Sequence, residues 1–137
     1  MPKLDGILET AIHTEDMARS RAFYEGVLGL DPIYTDNRLS AYAVARHDVL
    51  LVFRKGTTGQ TVVLPSGTIP GHGGEGQLHV AFAIGKEELD RWEKYLADKG
   101  VAIEGRNDWS RGGRSIYFRD PDGHLLELAT PGLWSVY

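Results

Sequence analysis

Apolar and polar positions alternate from Ile7 to His13 with the period of two expected of a half-buried strand. The period then lengthens, and Asp16 to Leu28 reads as a helix, with Thr14 or Asp16 placed to cap its first N–H groups and Gly29 to end it. The same succession returns later. Leu78 to Ile84 is strand-like, and Lys86 to Lys99 carries Leu89, Trp92 and Leu96 at helical spacing before Gly100. In that second helix Glu87 with Arg91 and Asp90 with Lys94 stand four residues apart, which marks the face opposite the apolar stripe as solvated.

After each helix the pattern predicts further strands: Ala41 to Arg46 and Val49 to Arg54 in the first half, Arg114 to Arg119 and His124 to Ala129 in the second. Asp120-Pro121-Asp122-Gly123 joins the last two as a turn, Pro setting one φ and Gly supplying the freedom for the next. Short apolar runs at Ile33 to Thr35 and Ala102 to Glu104 supply one more strand per half. The expected fold is α+β, two βαβββ repeats forming a curved mixed sheet that encloses a cleft. It is laid out as a single domain over 1–137, with repeat one at about 5–55, a flexible linker at about 56–76 and repeat two at about 77–132. The intervening Lys55 to Gln77 is rich in Gly, Thr and Pro and lacks sustained periodicity, so it reads as a linker or flap whose His72 can reach a pocket.

Composition narrows the chemistry. A chain of 137 residues, 42% hydrophobic, can bury a core without staples. A net charge of -4, with Lys and Arg scattered among acids, provides no basic field for a phosphate backbone, so no nucleic-acid partner is expected. With no cysteine there is neither a disulfide framework nor a thiolate ligand, and any metal must be held by oxygen and imidazole. The N-terminus lacks the apolar core of a signal peptide, and runs such as Val49 to Phe53 are too short to span a bilayer. The expectation is a soluble cytoplasmic protein with no membrane partner.

Superposing the two β-α units puts Glu9 on His79. Superposing the last strands puts Leu50-Leu51-Val52-Phe53 on Leu125-Leu126-Glu127-Leu128, so that Glu127 corresponds to Val52. Alternation then sorts Ile12, Leu51, Phe53, Val80, Phe82, Ile116, Phe118, Leu126 and Leu128 to a face under the helices. It sorts Glu9, His13, Leu50, Val52, Arg54, His79, Ser115, Tyr117, Arg119 and Glu127 to the open one. Two carboxylates and an imidazole on one face would be relieved of repulsion by a divalent cation, Zn²⁺, Mn²⁺, Ni²⁺, Co²⁺ or Fe²⁺, with positions left for substrate. By spacing alone the more ordinary reading is a core histidine, with the two acids paired with Arg54, Arg119 or another cation.

The motifs that follow resemble the vicinal oxygen chelate superfamily of glyoxalases, bleomycin-resistance proteins, fosfomycin-resistance proteins and extradiol dioxygenases. They are Asp16 to Tyr24 with Val27-Leu28-Gly29-Leu30, His79-Val80-Ala81-Phe82, and Ser115 to Glu127. The resemblance covers almost the whole chain. It implies a divalent metal on Glu9, His79 and Glu127, and a homodimer acting on a small-molecule substrate. The implied activity is lyase or isomerase chemistry on a small oxygenated metabolite, by chelation of two neighbouring oxygens. Ring-cleaving or other dioxygenase activity, and non-catalytic binding of a small molecule or antibiotic as a resistance protein, are the alternatives. The fourth ligand that glyoxalase I adds would fall at Val52, and the Lys and Ser of the fosfomycin enzymes at Asn107 and Arg111. For proton transfer the candidates are Glu9, Glu127, His13 and Tyr117, and for substrate contact Arg54, Arg119, His72 and Trp109.

Overall fold

Asp16 accepts a hydrogen bond from the Arg19 N–H at 3.0 Å, which caps the first helix, α1 (Met17–Gly26), as its sequence predicts. The second helix, α2 (Leu89–Asp98), follows a 3₁₀ turn at Lys86–Glu88 and stops at Gly100, whose φ of 74° suits glycine. In this computed structural model, which describes residues 1–45 and 47–137, the chain divides into two units, Met1–Glu75 and Gly76–Tyr137.

The first unit holds β1 (Glu9–Thr14), β2 (Asp31–Thr35), β3 (Leu39–Ala43) and β4 (Val49–Arg54) in the order β1-β4-β3-β2. It also holds a small hairpin, β5 (Val62–Leu64) with β6 (Gly67–Ile69). The second unit holds β7 (His79–Ala83), β8 (Gly105–Asp108), β9 (Arg114–Arg119) and β10 (Leu125–Ala129) in the matching order β7-β10-β9-β8. Each sheet is mixed: β1 runs parallel to β4 and β7 to β10, while the other pairs are antiparallel. The fold is thus the expected α+β duplication of βαβββ, with one four-stranded sheet per repeat. No helix among the described residues is long and apolar enough to cross a membrane.

Three expectations shift. The third strand ends at Ala43, and the last residue predicted for it, Arg46, lies outside the described residues. The short strand expected at Ala102 to Glu104 forms instead at Gly105–Asp108, because the β9 ladder meets it there, Gly105 opposite Tyr117. The stretch expected as a linker contains the β5–β6 hairpin, tied at its base by two bonds. His72 N–H donates to the Thr58 carbonyl at 2.9 Å, and the Thr58 hydroxyl donates to the His72 carbonyl at 2.7 Å. A side chain at Gly71 would lie 2.4 Å from the Gly59 oxygen, so the closure requires glycine.

Each core lies between a helix and the sheet beside it, with α1 against β3 and α2 against β9. Tyr24, Tyr42, Ile12, Leu50 and Val52 fill the first, and Leu89, Leu96, Ile116, Phe118, Leu126 and Leu128 the second. Leu96 is fully enclosed, so Leu96→Ala should cost about 2–5 kcal/mol of unfolding free energy through lost transfer energy and a cavity. Urea denaturation checks this, and a loss under about 1 kcal/mol would mean that the α2 core collapses around the gap.

Candidate metal centre

The parallel pair at the head of each sheet determines which side chains share a face. In the second unit His79 lies opposite Leu125 and Ala81 opposite Glu127, while across the antiparallel ladder Tyr117 faces Glu127 and Ser115 faces Ala129. His79, Ser115, Tyr117 and Glu127 therefore project from one side of the sheet, as expected, and Ile116, Phe118, Leu126 and Leu128 pack under α2.

In the first unit the expected faces are corrected. Glu9 pairs with Val49, Ala11 with Leu51 and His13 with Phe53, whereas Ile12 pairs with Val52 and Thr14 with Arg54. Leu51 and Phe53 thus share the side of Glu9 and His13, and Leu50, Val52 and Arg54 fall on the helix side. Arg54 is exposed at the end of β4 on the side away from Glu9, so its expected inner-face position is not observed. The registers keep the equivalence of Glu9 with His79, each opening its strand opposite the first residue of its partner. They replace Val52 by Leu51 as the counterpart of Glu127, since both lie opposite the third residue of the leading strand. The fourth-ligand position remains apolar.

Three of the predicted site residues meet in the second unit. His79 Nε2 lies 3.2 Å from Glu127 Oε2, and the Tyr117 hydroxyl donates to Glu127 Oε1 at 3.1 Å. The Glu127 side chain is 6% exposed and that of His79 49%, so the carboxylate forms the floor of the site and the imidazole its rim. His79 Nδ1 lies 2.9 Å from the Leu125 carbonyl, which can only accept. Nδ1 therefore carries a hydrogen, and the lone pair of the neutral ring is on Nε2, aimed at a carboxylate that also only accepts. Two acceptors in contact require a cation between them, either a ring proton or a metal ion. Nitrogen and oxygen ligands at ordinary zinc distances, about 2.0–2.1 Å in tetrahedral array, stand about 3.3 Å apart, so the observed pair fits a metal.

Burial, and next the Glu127 carboxylate, push the Tyr117 hydroxyl above the usual tyrosine value, so that it stays protonated and donates. The Trp109 indole N–H donates to the buried Ser115 hydroxyl at 2.8 Å, so it is already engaged within the protein. Arg119 is braced by Glu104 at 2.6 Å and by the Gly123 carbonyl at 3.0 Å, which makes it an anchor of the β9–β10 turn. In the first unit His13 and His72 approach each other, ring centres 6.1 Å apart, around Phe53 and Thr58. Glu9 belongs to that unit and is exposed. Among the described residues no cluster of three His, Asp or Glu side chains is ready-made for a metal.

Sequence reasoning passed over Ser115 as a site residue, and over two polar groups in the core. Asp120 accepts the N–H groups of Asp122 and His124, both at 2.9 Å, and His124 Nδ1 accepts the Leu78 N–H at 2.9 Å. The Asp-Pro-Asp-Gly turn, with Gly123 at a φ of 82°, was the available signal for that network.

A duplicated βαβββ fold with an imidazole and a carboxylate paired on the open side of one sheet places the chain in the glyoxalase-like class. The family model for the Glyoxalase/Bleomycin resistance protein/Dioxygenase superfamily matches residues 6–128, and the chain belongs to that superfamily. It is 31% identical over 131 residues to a metallothiol transferase FosB of Staphylococcus haemolyticus, covering 95% of this chain and 86% of that protein. A metallothiol transferase FosB of Bacillus licheniformis is 51% identical over 53 residues, a match spanning 34% of that protein's length. The crystal structure of a lactoylglutathione lyase from Agrobacterium tumefaciens superposes with a TM-score of 0.88 at 29% identity, covering 98% of this chain and 99% of that one.

The raised Tyr117 pKa has a consequence for stability. The folded protein holds this proton more tightly than the unfolded chain, whose tyrosines titrate near the ordinary value of 10.0. Its contribution is fully present below that pH and is lost as pH rises through the folded value. Tyr42 is raised also, chiefly by burial, so Tyr117→Phe should make the alkaline decline shallower without removing it. Urea midpoints measured from pH 8 to 11 test this, and an unchanged slope would contradict it.

Proposed function

We propose that the protein is a divalent-metal-dependent enzyme acting on a small oxygenated metabolite, with lyase or isomerase chemistry of the glyoxalase type. The observation that carries the reading is the contact between His79 Nε2 and Glu127 Oε2, held 3.2 Å apart on a sheet face. His79 and Glu127 supply two ligands in this reading. The third is assigned to Glu9 by its equivalence to His79 in the other repeat alone. A divalent ion bound there provides Lewis-acid polarisation of two neighbouring substrate oxygens.

The protein's own groups have distinct tasks. The Leu125 carbonyl keeps the His79 ring in the tautomer that presents Nε2. Tyr117, kept protonated, holds Oε1 of Glu127 and leaves Oε2 facing His79. Glu9 is exposed and so suited to exchange a proton with substrate, a step in which a carboxylate acts as general base. The apolar Leu51 opposite Ala11, where a third acid would complete a four-ligand set, favours an open coordination sphere.

A second reading, metal-dependent thiol transfer, rests on the 31% identity to the staphylococcal metallothiol transferase. Turnover assays distinguish the two: a hemithioacetal substrate for the lyase reading, fosfomycin with a low-molecular-weight thiol for the transferase reading. In either case Glu127→Ala should remove both bound metal and turnover, read by elemental analysis and the relevant assay. Metal stoichiometry equal to that of the unaltered protein would end the assignment of Glu127 as a ligand.

A further inference from the structure

The strand that carries His79 is fastened at its head to the turn that leads into Glu127. Leu78 N–H donates to His124 Nδ1 at 2.9 Å, and Leu125 N–H donates to the Leu78 carbonyl at 2.8 Å. One residue further on, the His79 ring donates through Nδ1 to the Leu125 carbonyl at 2.9 Å. Arg119 Nη1 reaches both the Gly123 carbonyl at 3.0 Å and Gln77 Oε1 at 3.4 Å. Gln77, Leu78 and His79 are thus docked in succession along Gly123, His124 and Leu125, and the His79 ring takes its orientation from a carbonyl inside that set of bonds.

His124 is itself fixed. Asp120 Oδ1 accepts the N–H groups of His124 and Asp122, both at 2.9 Å, and Asp120 N–H donates to the His124 carbonyl at 3.1 Å. His124 is 3% exposed, and its Nδ1 accepts, so the hydrogen of the neutral ring is on Nε2. A backbone N–H deprived of its acceptor in such a place carries the full cost of desolvation, which holds the ring against Leu78.

The first repeat shows the same junction built without the histidine. Val49, like Leu125, lies opposite the first residue of its leading strand, and its N–H donates to the Leu8 carbonyl at 3.0 Å, the counterpart of the bond between Leu125 and Leu78. The residue before it, Asp48, is therefore the counterpart of His124, and it is exposed where His124 is buried. The shared backbone bond starts the parallel pair in both repeats. The buried acceptor belongs to the repeat whose leading strand opens with an imidazole. A carboxylate such as Glu9 has two equivalent oxygens and no tautomer to set, whereas His79 has two distinct nitrogens and must be held with the right one outward.

We propose that His124 is a positioning residue for His79. Its Nδ1 holds Leu78 N–H and so fixes the backbone from which the His79 ring reaches the Leu125 carbonyl, keeping Nε2 presented to Glu127. The consequence for metal affinity rests on the reading of His79 as a ligand.

The test uses the full-length protein. His124→Asn keeps an acceptor at the place of Nδ1, His124→Gln moves the amide one bond further out to the place of Nε2, and His124→Leu removes it. The first readout needs no metal: ring ¹⁵N shifts of His79, taken where the ring is neutral, report which nitrogen carries the hydrogen. The unaltered protein and His124→Asn should show Nδ1–H, and His124→Gln and His124→Leu should lose that preference. With Zn²⁺ as probe, His124→Gln and His124→Leu should bind roughly 10-fold more weakly, the low end of what outer groups contribute, and His124→Asn within about 3-fold of the unaltered protein. Either a tautomer retained in all three variants, or Zn²⁺ affinities that stay equal while only Tm falls, would overturn the proposal and leave the metal reading intact. The expected tautomer changes in a protein that binds no Zn²⁺ would support the positioning role and defeat the ligand reading. Should His124→Gln and His124→Leu fail to fold, the ¹⁵N–¹⁵N coupling across the bond from Leu78 N–H to His124 Nδ1 decides in the unaltered protein. Its presence together with Nδ1–H at His79 supports the proposal, and its absence overturns it.

Discussion

A buried carboxylate held 3.2 Å from an imidazole nitrogen is the constraint around which the second unit is organised. Glu127 sits on the sheet floor, His79 at the rim, and the Leu125 carbonyl prevents the ring from turning its donor toward the acid. Desolvating a carboxylate is costly unless its oxygens are satisfied, and here Tyr117 satisfies one of them. The other is left to a cation.

Duplication explains how such a pair arises on an ordinary scaffold. Each repeat sets a parallel two-strand core beneath one helix, so equivalent residues of the leading strands, Glu9 and His79, both point away from the helix. Small neighbours, Ala11 and Ala81, open that face in both repeats. The asymmetry lies on the adjacent strand, where the second repeat has Glu127 and the first has Leu51. One repeat therefore presents a complete imidazole-carboxylate pair and the other a single carboxylate. Superfamily membership accords with this division of labour, and the relatives named for lyase and transferase activities show that one frame hosts several chemistries.

The two helices, the Asp16 cap of α1, the Asp120 to Gly123 turn and the faces of β7, β9 and β10 were legible because the polar and apolar pattern there is unambiguous. The first repeat was harder. Val49-Leu50-Leu51-Val52-Phe53 is apolar throughout, so nothing in it distinguishes one face from the other, and the chosen parity was off by one. Only the hydrogen-bonded register resolves it, placing Leu51 opposite Ala11 and moving Arg54 off the open face. Arg119 and Trp109 illustrate a different limit. The position of Arg119 on the open face was readable and Trp109 stood as a candidate contact, but their engagement with Glu104 and Ser115 depends on residues brought together by the ladder of β8 with β9. The β5–β6 hairpin escaped because three-residue strands are too short to show a period.

The central claim, that the acceptor pair of His79 and Glu127 is built for a metal ion, is open to direct observation. Crystals grown with Mn²⁺ or Zn²⁺ and measured at the metal absorption edge should show an anomalous peak about 2.0–2.2 Å from both His79 Nε2 and Glu127 Oε2. A fully loaded crystal with no peak between these two atoms, or with one only at other residues, would contradict it.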